Sequence, residues 1–93
     1  MSTVALMWEA RSVPGRDNEL LEWARSQVLA QDPVRREVFR APHDRVLVIT
    51  WWETSEGIAA ELPELPEPAA DLITRAVHRW RFESVETVEA GGS

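Results

Sequence analysis

The chain opens on an apolar run, Val4-Ala5-Leu6-Met7-Trp8, and turns polar by Arg11. A run with no alternation predicts a strand over Thr3 to Arg11 that is buried on both faces. Ser12-Val13-Pro14-Gly15 ends it with turn chemistry. Leu20, Leu21, Ala24 and Val28 then recur at helical spacing, which predicts a helix over Arg16 to Gln31. Asp17, Glu19 and Glu22 sit near its start, where the helix dipole favours anions, and Asp32-Pro33 stops it. From Val34 to Ala41 the pattern alternates, Glu37 and Phe39 against Val38 and Arg40, as a strand requires. Pro42-His43-Asp44 is a tight connection. Arg45 to Glu53, rich in β-branched and aromatic residues, is the clearest strand and completes a hairpin. Thr54-Ser55-Glu56 reads as a helix start that Pro63, Pro66 and Pro68 soon interrupt. A second helical piece begins at Pro68, with Ala69, Leu72, Ile73, Ala76 and Val77 as its apolar stripe. His78 to Val88 is a last strand, with Trp80 and Phe82 on one face and Arg81, Glu83 and Val85 on the other.

Strand, helix, strand, strand, helix, strand is the order of a split βαβ, ferredoxin-like α+β fold. It predicts one antiparallel four-stranded sheet with both helices on one face. Residues 1–89 make a single domain and 90–93 a flexible tail. The second sheet face then becomes the question. Strands one and three are apolar on both parities: Val4, Leu6 and Trp8 against Ala5 and Met7, and Val46, Val48 and Trp52 against Leu47, Ile49 and Trp51. Burying each large side chain is worth roughly 1.5–3 kcal/mol, and a wet patch of them would be sticky. A homodimer with its two sheets face to face resolves this and adds the burial that so short a chain lacks. Space left between the sheets is the natural place for a ligand.

Charge narrows the partners. The formal net charge is -6 and the sequence pI near 4.8, which predicts no nucleic-acid partner and no anionic membrane. Every basic residue is arginine, so no lysine is available for Schiff-base chemistry. No cysteine is present, which removes disulfides and thiolate zinc sites. Val46 to Trp52, the longest strongly apolar run, is too short to cross a bilayer, and no basic leader precedes the first strand. The expected location is the cytoplasm. Gly15 and Gly57 stand alone and Gly91-Gly92 lie in the tail, so no glycine-rich loop supports a nucleotide, flavin or nicotinamide. Two histidines without a His-Glu-x-x-His pattern give no metal site.

Two segments carry a resemblance. Val13-Pro14-Gly15-Arg16 followed by Glu19-Leu20-Leu21-Glu22 is similar to the first strand-to-helix passage of the antibiotic biosynthesis monooxygenase-like proteins. Val46 to Glu56, with Trp51-Trp52-Glu53-Thr54-Ser55, resembles their third strand and the Trp-Glu-Ser that closes it. The likeness runs in element order from about Thr3 to Val88. It implies a dimeric α+β barrel, in agreement with the sheet-face argument. The activities it implies are diverse: cofactor-independent oxygenation of aromatic polyketides, haem degradation, isomerase-like chemistry, or no known chemistry. The haem-degrading members use an asparagine on strand one, whereas the single asparagine here is Asn18; the polyketide oxygenases use a tyrosine, and this chain has none.

The candidate chemistry follows. His78 is the candidate general base, with a dipole-favoured helix-terminal histidine as the plainer alternative. His43, in a turn, reads as solvated. Glu9 shares its parity with Ala5 and Met7; inside a cavity it becomes an acid or base, and otherwise it is a strand-end residue that reaches water or pairs with an arginine. Arg81 is the candidate partner for a ligand oxyanion, or else a solvent-facing strand residue beside Glu83. Five tryptophans supply flat apolar surface. Trp8, Trp51 and Trp80 are read as substrate-binding walls, and Trp23 and Trp52 as packing. Together these suggest an oxygenase-like enzyme that acts on a planar aromatic substrate of polyketide or quinol type, without a prosthetic group. The alternative is a non-catalytic homodimeric ligand-binding or accessory protein on the same scaffold.

Overall fold

The opening apolar run becomes β1 (Ser2–Arg11), the strand on which the sheet is built. The structure, a computed structural model, describes residues 1–90; the part of the expected tail at 91–93 lies outside them. β1 pairs antiparallel with β3 (Arg45–Thr54) on one side and with β4 (His78–Glu83) on the other. β2 (Arg35–Ala41) pairs antiparallel with β3. The product is one open four-stranded sheet in the order β2-β3-β1-β4. The β2–β3 hairpin turns at Pro42-His43-Asp44, where His43 and Asp44 take left-handed φ values of 65° and 59°. Histidine and aspartate tolerate that region better than most residues.

Alternation along the strands sorts two faces. Val4, Leu6, Trp8 and Ala10 of β1 and Val46, Val48 and Trp52 of β3 are buried on one of them. α1 (Asp17–Ser26) crosses this face and buries Leu20 and Ala24 against it. Trp8 stacks on the half-buried Trp23 with ring centroids 5.8 Å apart. The Trp52 indole N–H donates to the buried Thr50 hydroxyl at 2.9 Å, so neither polar group is left unpaired.

Two helical expectations fail. α1 stops at Ser26 rather than Gln31, and Val28, expected on its apolar stripe, is 93% exposed. Gln27 has already turned extended. The Arg36 guanidinium donates to the carbonyls of Ala24 at 2.6 Å and Gln27 at 2.7 Å, which satisfies the helix end and fixes it there. The second helix does not form, so one helix and not two covers the sheet. The Thr54 hydroxyl accepts from the Glu56 N–H at 3.1 Å, closing a turn, and only a single 3-10 turn, Gly57–Ala59, follows.

Residues 60–77 then run as an irregular strap. Pro63, Pro66 and Pro68 have no N–H to give a helix and push their predecessors toward extended backbone. Farther on, β1 takes the backbone groups. Val13 N–H donates to the Leu72 carbonyl, Thr74 N–H to that of Arg11, both at 3.0 Å, and Ser12 and Ile73 form an isolated bridge. Of the expected stripe Leu72 and Ile73 reach the core while Ala69 and Ala76 are exposed, and Leu65 is buried beside them. The strap is pinned at its middle by the Trp8 indole N–H on the Pro66 carbonyl at 3.2 Å. β4 ends at Glu83 rather than Val88. Ser84 N–H makes the last bond, to the Thr3 carbonyl.

Candidate functional site

Among the described residues, nothing covers the second face of the sheet. The molecule is 19 Å across its thinnest axis, room for the sheet and one layer upon it. On this face Met7 lies between Ile49 and Trp80, and Ala5 between Trp51 and Phe82. Trp80 is 42% and Phe82 48% exposed; Met7, Ile49 and Trp51 are half-buried. The Arg35 guanidinium sits 5.0 Å from the centre of the Trp51 ring, at the β2 edge.

At one end of the apolar field lies Glu9, paired with Leu47 on one side and His78 on the other. It is a carboxylate only 5% exposed. Arg75 Nη2 donates to its Oε1 at 2.7 Å and Arg45 Nη1 to its Oε2 at 3.1 Å. His78 Nδ1 stands 3.5 Å from Oε1. The His78 ring meets Trp80 edge-on, 5.4 Å between centroids. Beside them is an open depression of about 360 Å³ lined by Val77, His78, Arg79 and Trp80.

Local backbone explains this cluster. Ser12 bridges Ile73, and Glu9 pairs with His78. A regular antiparallel ladder running back from the second pair would set Ser12 opposite residue 75, so the strap carries extra residues between 74 and 77. That bulge leaves Arg75 free of the ladder and swings it onto Glu9. Burial pushes the Glu9 carboxyl up, but the hydrogen bonds of Arg75 and Arg45 and the charge of Arg75, with a smaller contribution from His78, outweigh it and hold the pKa below its ordinary value. At neutral pH Glu9 is therefore an ionised carboxylate.

The structure brings four of the six expected site residues to the open face: Glu9, His78, Trp80 and Trp51. Trp51 sits at the far end, opposite Ala5, roughly 14 Å along the strand from the Glu9 row. The other two lie on the covered face. Trp8 is core, stacked on Trp23 beneath the strap. Arg81 points to the covered face, where its Nη1 donates to the carbonyls of Ile58 and Ala60 and its Nη2 lies 3.8 Å from Glu64. Its parity opposite Trp80 already excluded both residues from sharing one face. Arg45 and Arg75 were not singled out in the sequence. The first is brought near Glu9 by the β1–β3 register, which sets it opposite Arg11. The second follows from a bulge that no local pattern announces.

Among the described residues, no helix is long and apolar enough to cross a membrane, and no group of three His, Asp or Glu side chains is placed to hold a metal ion. No protein-family model matches the chain, and neither a curated protein nor a solved structure is significantly similar to it.

Proposed function

We propose that this chain is the subunit of a homodimeric oxygenase-like enzyme of the antibiotic biosynthesis monooxygenase-like type, which oxygenates a planar aromatic substrate without a prosthetic group. The observation that carries the reading is the uncovered apolar sheet face with His78 at its edge, oriented by the ionised Glu9. The strand order β2-β3-β1-β4 supports the ferredoxin-like topology, with the strap standing in for the second helix. A second copy is the occupant that fits the face. Four strands about 4.8 Å apart and about 30 Å long offer roughly 550 Å² of flat area per copy, so two copies reach the scale of a specific interface.

The chemistry assigned to the site begins with proton abstraction. His78 takes a proton from an activated ring CH₂ of an anthrone-type substrate, and the apolar walls keep water from the carbanion. The carbanion gives its electrons to dioxygen and forms a peroxide anion, which recovers the proton from His78. Loss of water from the hydroperoxide leaves a carbonyl; in balance, CH₂ and O₂ become C=O and H₂O. Glu9 positions the imidazole, while Trp80 and Trp51 supply flat surface.

The test is oxygen uptake with a panel of anthrone- and quinol-type compounds. The expected result is uptake that His78→Ala abolishes while ligand-dependent tryptophan quenching persists. The departure of Arg81 from the site favours one rival, a non-catalytic binding protein; quenching without uptake by any compound would establish it. Neither quenching nor uptake would overturn both readings.

A further inference from the structure

The Glu9 end of the open face carries more positive charge than it needs. Arg45 and Arg75 both serve one carboxylate. Arg11 lies directly across from Arg45 in the β1–β3 register, on the same face as Glu9. Among the described residues Arg11 makes no ion pair. Three guanidiniums therefore face one carboxylate in a chain whose net charge is -6. Asp44, the next carboxylate along the turn, pairs with none of them.

The arrangement is unfavourable as it stands. Like charges directly opposite on neighbouring strands repel. Arg75 Nη1 is buried and has no hydrogen-bond partner, a costly state for a charged donor. Arg45 spends its Nε on the Pro42 carbonyl at 2.9 Å and its Nη1 on Glu9, and its Nη2 makes no hydrogen bond among the described residues. Spare donors and spare charge thus converge where the apolar field ends. An anion there relieves the repulsion between the guanidiniums and takes up the unused Nη2 of Arg45.

We propose that the ligand of this site is an aromatic acid, whose planar body lies on the open sheet face and whose carboxylate, or an equivalent anionic substituent, is held by Arg11, Arg45 and Arg75. This rests on the reading of the open face as the ligand site and names the class of molecule it takes. The apolar field sets the ring system, and the arginines fix which end of it faces the strap. A neutral ring of the same size keeps only the first of these interactions.

The test compares two fluorescent probes of similar shape: 8-anilinonaphthalene-1-sulfonate, which is anionic, and N-phenyl-1-naphthylamine, which is neutral. The anionic probe should bind at least roughly tenfold more tightly, the scale of one good charge-assisted contact. Its affinity should fall as salt rises from low to high concentration, while the neutral probe's stays flat. Arg11→Gln, which breaks no ion pair, should weaken the anionic probe by roughly three- to tenfold and leave the neutral one unchanged. Glu9→Gln should act in the opposite sense and tighten the anionic probe, because it frees two guanidiniums. Equal affinities for the two probes, or an Arg11→Gln variant that binds both like the wild type, would overturn the aromatic-acid proposal and leave the ligand face standing. Failure of both probes to bind would remove the ligand face itself.

Discussion

Trp80→Ala combined with Phe82→Ala strips two rings from the uncovered face at small cost to a single copy. Both residues lie on the edge strand β4 and are 42% and 48% exposed, so nearly half of each surface is wet when the chain stands alone. A buried aromatic side chain removes about 150–250 Å² from water, which leaves roughly 200 Å² on the two rings for a partner to cover. A two-fold interface counts that area twice, about 400 Å², or ~10 kcal/mol in gross transfer terms. Lost translational freedom and side-chain ordering take a large share of it. A net loss of ~3 kcal/mol, about a hundredfold in dimer Kd, is the expected remainder. Sedimentation equilibrium over low to high micromolar protein measures this, and thermal unfolding of the variant checks that the chain still folds. The reasoning fails if the wild type sediments as one copy throughout that range. It fails equally if the double variant associates as tightly as the wild type.

Other substitutions probe the remaining supports. Glu9→Gln should cost about 1–3 kcal/mol at pH 7, less than a fully buried pair because Arg45 and Arg75 are 35% and 32% exposed. Because the folded pKa of Glu9 lies below its ordinary 4.5, this stabilisation is complete above that pH and disappears as pH falls through the folded value. Urea titrations should therefore show the gap between wild type and variant closing in acid. Leu20→Ala, at a fully buried contact between α1 and the sheet, should cost about 2–5 kcal/mol and lower the urea midpoint. Gly57 has φ +59°, and a Cβ there would stand 2.6 Å from Glu83 Oε1, which accepts the Ile58 N–H. Gly57→Ala should cost roughly 1–2 kcal/mol, and Glu83→Ala in the same chain should relieve the clash but not the backbone strain, as a melting series would read.

Much of this molecule could be read from its residues in order. Period-two alternation in Glu37 to Arg40 and the apolar doubling in Val4 to Trp8 and Val46 to Trp52 determined the strands, the hairpin and the pairing of Trp51 and Trp52 with opposite faces. These are local properties, since a strand's two faces follow from backbone geometry alone. Glu9 and His78 were legible as candidates for the same reason. What the sequence left open was decided between distant segments. Ala69 to Val77 has a helical period, yet after one turn, closed by the Leu72 N–H on the Ala69 carbonyl, its backbone groups bond to Arg11 and Val13. Periodicity measures which side chains are apolar; it does not know which strand edge will compete for the N–H groups. That competition creates the bulge that delivers Arg75 to Glu9, and it left Arg81 tied to the carbonyls of Ile58 and Ala60 on the other side of the sheet. The residue types of the site were thus set by the sequence, whereas the charge balance around its one buried carboxylate was set by the fold.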